Sequence, residues 1–204
     1  MTYNKGNLQK YQSRNPLKKL MIKYFLHRLN NVFSSICCDN LKILDAGCGE
    51  GFISEQIYNS AKNAEITAVD ISEEAIEYAE KHQNPHIDFT VGDIFHLPYQ
   101  DNSFDIVCAF EVLEHLQTPE KALNELNRLA KKFIILSVPN EPFFCLGNFL
   151  SGKNIKRLGN PSDHINHYTL FGFKKFIEKN LHDKYDVIIV NCLVWTLAIV
   201  KKSD

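Results

Sequence analysis

Apolar and polar positions along this 204-residue chain fall into two alternating kinds of run. Short, nearly unbroken apolar runs lie at Lys42 to Ala46, Ala64 to Val69, Ile87 to Val91, Ser103 to Phe110 and Phe133 to Val138. Runs of that length suit strands buried on both faces of a parallel sheet. Between them, segments of helical periodicity occupy about 52–61, Glu73 to His82 and about 119–130. Ser72 ahead of Glu73-Glu74 and Thr118 ahead of Pro119 supply helix-start signals. An earlier helix opens on Pro16, with Asn15 as its cap, and runs from Leu17 to about Ile36. Its apolar positions are Leu20, Met21, Tyr24, Phe25, Leu29, Val32 and Phe33, while Lys18, Lys19, Lys23 and Arg28 fill much of the remainder. That pattern predicts a helix covering a sheet edge or a cleft mouth, with a basic face in water. Near the end, Thr169 to Asn180 predicts a helix. Tyr185 to Val190 and Leu193 to Val200 predict an antiparallel hairpin turning through Asn191-Cys192. The sum is an α/β fold with a seven-stranded, mostly parallel sheet, helices on both faces and a C-terminal antiparallel hairpin. The expected organisation is a polar tail and covering helix over 1–36 and one domain over 37–204, carrying a long loop at 139–168.

The first strand runs straight into three glycines spaced two apart, Gly47, Gly49 and Gly51, and a helix follows at Phe52. Glycines at a strand-to-helix turn permit positive φ and let a ligand lie against the backbone, beside the unpaired N–H groups of the helix. The spacing discriminates between ligands. A dinucleotide fingerprint needs a third small residue where this chain has Phe52, and a phosphate-binding P-loop needs a G-K-[ST] that does not follow. Downstream, Asp70 closes the second strand, where a carboxylate suits a ribose diol. Gly92-Asp93-Ile94 follows the third strand, and Phe110-Glu111 ends the fourth, at the crevice where open α/β sheets bind ligands.

Four stretches together resemble the class I S-adenosylmethionine-dependent methyltransferases, and within them the small ubiquinone-biosynthesis O-methyltransferase-like group. They are L-D-A-G-C-G-E-G at 44–51, V-D-I-S at 69–72, G-D-I-F-H-L-P-Y-Q-D-N-S-F-D at 92–105 and F-E-V-L-E-H-L at 110–116. The resemblance covers about residues 40–200 and implies a Rossmann-like fold with S-adenosylmethionine as cofactor. It implies that Gly47, Cys48, Gly49 and Gly51 cradle the methionine portion and that Asp45 orients the loop or meets the amino group through water. It further implies that Asp70 holds the ribose, Ile71 lies against the adenine, Asp93 meets the adenine amino group and the Ile94 amide a ring nitrogen. Phe110 and Glu111 would line the crevice. The implied activity is methyl transfer to a small-molecule or biosynthetic-intermediate acceptor, at oxygen. Transfer to nitrogen or carbon, or a non-catalytic S-adenosylmethionine-binding subunit, are the alternatives.

Composition narrows the partners. A formal charge of −1 and 23% charged residues give no overall pull towards nucleic acid or anionic membrane. No N-P-P-Y or D-P-P-Y set follows the fourth strand, which argues against a nucleic-acid acceptor. The longest apolar run, Val187 to Val200, is too short to span a bilayer, and the polar start carries no signal-peptide pattern, so a cytoplasmic protein without membrane insertion is expected. The six cysteines show no C-x-x-C spacing, which excludes a zinc-ribbon pattern and disfavours a disulfide framework. The sequence leaves the oligomeric state open.

Candidates for chemistry cluster after the fourth strand. Glu111, Glu114 and His115 form an E-x-x-E-H set that in some ubiquinone-pathway relatives is associated with a metal. Because Glu114 and His115 are adjacent, one helical turn does not aim both at a single ion. The expectation is therefore that no metal binds and that the set frames the crevice, with His115 as a candidate general base. The 139–168 stretch combines an apolar patch at Phe143, Phe144 and Leu146 with polar His164, Asn166, His167 and Tyr168. It is expected to form an acceptor pocket or lid, with His164 and His167 as further candidates for the base.

Overall fold

A computed structural model describes residues 10–36, 39–61, 63–150, 164–181 and 185–202. Helix α1 (Pro16–Ile36) precedes β1 (Lys42–Ala46), α2 (Phe52–Ser60), β2 (Glu65–Asp70), α3 (Glu73–His82) and β3 (Ile87–Val91). Then come β4 (Phe104–Phe110), a 3₁₀ turn (Leu113–His115), α4 (Pro119–Leu129), β5 (Ala130–Pro139), α5 (Phe143–Leu150) and α6 (Leu170–Asn180). The hairpin strands β6 (Tyr185–Cys192) and β7 (Trp195–Lys202) close the chain. The seven strands lie in the order β3-β2-β1-β4-β5-β7-β6, with β7 antiparallel to both β5 and β6. From β1 the chain winds outward through β2 and β3, then returns to add β4 and β5 on β1's other side. The switch point therefore falls between β1 and β4, and their carboxyl ends flank an open crevice.

Burial follows the apolar runs. Strands β1 and β4 bury nearly every side chain and β5 does so from Ile134 onward, as central strands covered on both faces must. Two clusters lie on the two faces of the sheet: α1, α2 and α3 pack with Ile43, Ile66, Ile106 and Ile135, and α4 and α6 with Leu44, Val69, Val107 and Ile134. Asn15 caps α1 by accepting from the Leu17 and Lys18 N–H groups at 2.9 and 3.2 Å. The buried stripe of α1 is Ile22, Phe25, Leu29, Val32 and Phe33, whereas Leu20 and Tyr24, expected inside, are exposed. The helix is rotated so that Phe25 meets Trp195 of β7, with ring centroids 5.5 Å apart.

Three boundaries depart from expectation. Helix α4 gives way to β5 at Ala130 with no intervening loop, so β5 starts three residues early. The Lys202 ammonium donates to the carbonyls of Asn127 and Ala130 at 2.9 and 2.8 Å, covering that helix end with a cation. The hairpin turns at Leu193-Val194 rather than Asn191-Cys192, which become the last residues of β6. Asn191 Oδ1 accepts from the Leu193 N–H at 2.9 Å, and Asn140 donates through its side chain and backbone to the carbonyls of Leu193 and Val194. That clamp from outside the hairpin holds Leu193 at φ 66, a conformation a leucine seldom takes alone. The 139–168 stretch is not all loop: it contains α5, and its residues 151–163 lie outside the described residues.

Among the described residues no helix is long and apolar enough to cross a membrane. Cys48, Cys108, Cys145 and Cys192 are thiols rather than disulfides, while Cys37 and Cys38 lie outside the described residues.

Candidate functional site

The turn after β1 builds one wall of the crevice. Gly47, Gly49 and Gly51 adopt φ of 80, 53 and 77°. A Cβ on Gly47 would stand 2.5 Å from Val112 Cγ2, and one on Gly51 would stand 2.8 Å from the Phe89 ring. Backbone angle and space thus both demand glycine at these two places. The turn is stitched to the end of β2. The N–H groups of Gly47 and Cys48 donate to the Val69 carbonyl, and the Gly49 N–H donates to Asp70 Oδ2 at 2.7 Å. The other oxygen of Asp70 accepts from the Ser72 N–H at 2.9 Å. Asp70 therefore braces the glycine turn and the entry to α3 at once.

Asp45 lies beneath the turn, almost fully buried, and accepts from the Ser54 hydroxyl on the first turn of α2 at 2.6 Å. Burial pushes its carboxyl up to about 7; the Ser54 bond pulls it back and the charge of Asp70 adds to the rise. Burial likewise raises the Cys48 thiol well above its ordinary value. Asp93 follows β3, accepts from the Phe95 N–H at 3.0 Å and keeps a half-exposed carboxylate. Ile94 packs against the core and Ile71 is exposed. Since Asp70 pairs with Val91 in the sheet, the 70–72 and 92–94 turns stand side by side.

Phe110 and Glu111 form the opposite wall. Glu111 sits at φ 58, held by its N–H donating to the Ser137 carbonyl at 2.9 Å, a left-handed glutamate at the mouth of a cleft. Its carboxylate takes an ion pair from Lys10, whose ammonium lies 4.5 Å above the centroid of the Trp195 ring. Tyr11 stacks on Phe52 at 5.0 Å. The resulting cleft, open to solvent, is lined by Tyr11, Asp45, Gly47, Cys48, Phe52, Ile53, Phe110 and Glu111. Five of the expected residues meet in this lining. Tyr11, Phe52 and Ile53 were not foreseen as lining residues, nor Lys10 as the partner of Glu111.

Beyond Glu111, the 3₁₀ turn carries His115, whose ring meets that of His164 edge-on at 4.9 Å. His164 stacks on Phe144 at 5.4 Å, and Phe144 meets Trp195 at 6.5 Å, so an aromatic wall runs from the 3₁₀ turn to β7. What brings His164 there is backbone: the N–H groups of Ile165 and Asn166 donate to the Glu114 carbonyl, and the Asn166 amide donates to the carbonyls of Leu113 and Leu116. The turn also overturns the expectation that Glu114 and His115 cannot converge: ligand atoms of Glu114, His115 and His164 all lie within 4.8 Å of one another. Such spacing can hold one divalent cation, but Glu111, which the E-x-x-E-H pattern would add, is engaged by Lys10. His167 does not join this group; its exposed ring lies 3.7 Å from Glu141. Tyr168, expected in an acceptor pocket, is buried against Phe173 instead, and Asn166 is a clamp. Phe143 and Leu146 point to solvent and only Phe144 turns inward.

Comparison with known proteins gives the family and the fold. A family described as a methyltransferase domain matches residues 38–148. A ubiquinone biosynthesis O-methyltransferase of Coxiella burnetii is 31% identical over 122 residues, covering 57% of this chain and 51% of that one. The chain spans about half or less of the length of the curated relatives it matches. Among solved structures, a SAM-dependent methyltransferase from Aquifex aeolicus superposes with a TM-score of 0.71 at 16% identity, over 98% of this chain and 100% of that one. The magnesium protoporphyrin IX methyltransferase of Synechocystis, solved with bound SAH, superposes with a TM-score of 0.68 at 18% identity, over 96% and 92% of the two chains. At such identities the likeness speaks for the fold.

Proposed function

The chain belongs to the methyltransferase-domain family, and from that premise we propose that it transfers a methyl group from S-adenosylmethionine to the oxygen of a small-molecule acceptor. The observation that carries this reading is the glycine turn at the β1–β4 switch point, where Gly47, Gly49 and Gly51 all take positive φ and Asp70 pins the turn through Gly49. A bare backbone in that place suits close approach by the methionine portion of the cofactor, so the residues present fit the group. Gly47, Cys48, Gly49 and Gly51 would cradle it, with Asp45 beneath and Phe110 and Glu111 opposite. Asp70, Ile71, Asp93 and Ile94, on adjacent turns, would hold the ribose and adenine. When bound, S-adenosylmethionine supplies a sulfonium methyl that needs no further activation.

The protein's share of the reaction is then alignment and proton removal. Holding an acceptor in line at near-attack distance can lower a barrier by ~7–11 kcal/mol. The aromatic wall of Trp195, Phe144 and His164 offers flat apolar surface for a ring-bearing acceptor. The paired imidazoles of His115 and His164 stand at its end, and one of them takes the proton of the acceptor hydroxyl. Oxygen as the acceptor atom is supported by the named O-methyltransferase relative. Calorimetry should show binding of S-adenosylmethionine and S-adenosylhomocysteine, and none of NAD, because Phe52 stands where a dinucleotide site needs a small residue. Transfer of labelled methyl should favour phenols over matched anilines. Binding of NAD without S-adenosylhomocysteine would overturn the reading.

A further inference from the structure

Lys10 is placed as few lysines are. Its side chain is 11% exposed and its partner Glu111, 101 residues away in the chain, is 19% exposed. Withdrawing a primary ammonium from water is costly unless the surroundings answer it chemically. Here they do: the Glu111 carboxylate accepts a hydrogen bond from it, and the ring centroids of Trp195 and Tyr11 lie 4.5 and 5.3 Å from the nitrogen. A carboxylate with two aromatic faces is the recognition chemistry of an organic cation. Two of these groups, Tyr11 and Glu111, also line the ligand cleft. Glu111 is moreover held at φ 58 by its N–H bond to the Ser137 carbonyl, which fixes the backbone that carries the carboxylate.

We infer that Glu111, Trp195 and Tyr11 form an organic-cation subsite on the β4 side of the cleft, which Lys10 fills from within the chain until a cationic group of a bound small molecule takes its place. The inference rests on the cleft being the ligand site of the proposed transfer. Two positive charges a few ångström apart in a partly desolvated cleft repel strongly, so Lys10 and an incoming cation exclude each other. The incoming charge belongs either to the methyl donor, which carries a sulfonium and an ammonium, or to an ammonium borne by the acceptor.

The test uses the full chain and three probes in low-salt calorimetry: S-adenosylmethionine, S-adenosylhomocysteine and tetramethylammonium. Lys10→Met keeps the length of the stem and removes its charge, and should bind tetramethylammonium at least tenfold more tightly than the parent. If the sulfonium is the natural occupant, the variant should also gain about tenfold for S-adenosylmethionine over S-adenosylhomocysteine. If the donor's ammonium is, both donor forms gain alike and S-adenosylhomocysteine excludes tetramethylammonium; if an acceptor ammonium is, neither gains and the variant saturated with S-adenosylhomocysteine still takes tetramethylammonium. Lys10→Met combined with Glu111→Gln should abolish the gain in every case. A folded Lys10→Met protein that binds tetramethylammonium no better than the parent overturns the proposal. Should Lys10→Met fail to fold, the chain's single tryptophan, Trp195, decides in the parent. Tetramethylammonium should shift its fluorescence saturably, and should not do so in Glu111→Gln; a parent without a saturable shift overturns the subsite. A parent that binds neither S-adenosylmethionine nor S-adenosylhomocysteine refutes the methyl-transfer reading separately, since the tetramethylammonium titration still decides the subsite.

Discussion

Replacing Asp45 by Asn tests whether the floor of the site is a carboxyl held against its own charge. Burial lifts this carboxyl from 3.8 to about 7, despite the bond from Ser54. A raised acid favours the folded state while protonated. That contribution is complete below pH ~4, where the unfolded chain is protonated too, and is lost as the pH climbs through about 7. Taking ~1.36 kcal/mol per tenfold in proton affinity, the parent should lose roughly 2–3 kcal/mol relative to Asp45→Asn between pH 5 and pH 8. Asn keeps the shape and can still accept from Ser54, so any constant offset between the two proteins reflects the buried amide, and the pH dependence isolates the carboxyl. Urea unfolding of both proteins at half-unit pH steps gives the difference directly, because every other titrating group is common to the pair. Saturating S-adenosylhomocysteine should flatten the slope if its ammonium faces the carboxylate. Parallel stability profiles across pH 5–8 would refute the argument and show that Asp45 carries its charge without penalty.

Gly47→Ala should weaken S-adenosylhomocysteine binding at least tenfold in calorimetry, since its Cβ meets Val112 and its φ is 80°. Adding Val112→Ala should restore only part, because a left-handed alanine still costs ~1–2 kcal/mol; full recovery would place the whole defect in the clash. Asp70→Ala should weaken cofactor binding by ~1–3 kcal/mol and also lower the stability of the ligand-free protein, because Asp70 already accepts from Gly49 and Ser72. A stability change below ~0.5 kcal/mol by urea unfolding would show those two bonds to be incidental. His164→Ala should lower turnover at least tenfold with cofactor affinity nearly intact, whereas His167→Ala, exposed and beside Glu141, should turn over like the parent. Equal effects of the two changes would remove His164 from the acceptor side.

What the sequence determined by itself is whatever rests on short-range rules. The central strands were legible because β1, β4 and β5 are buried on both faces and so read as unbroken apolar runs. The starts of α1 and α3 were legible because the Asn15 and Ser72 caps act within one helical turn. The glycine turn was legible because positive φ at Gly47 and Gly51 leaves its mark in residue type. The tertiary structure alone decided the rest. The β6–β7 turn moved by two residues because Asn140, some fifty residues upstream, holds the Leu193 and Val194 carbonyls. His164 reached His115 while His167 did not, because backbone bonds from 165 and 166 seat one short segment on the 3₁₀ turn. Glu111 carries no trace in its residue type of either its left-handed backbone or its partner Lys10. Contacts made across a hundred residues depend on which strand ends the sheet order brings together, and no periodicity or local spacing encodes that.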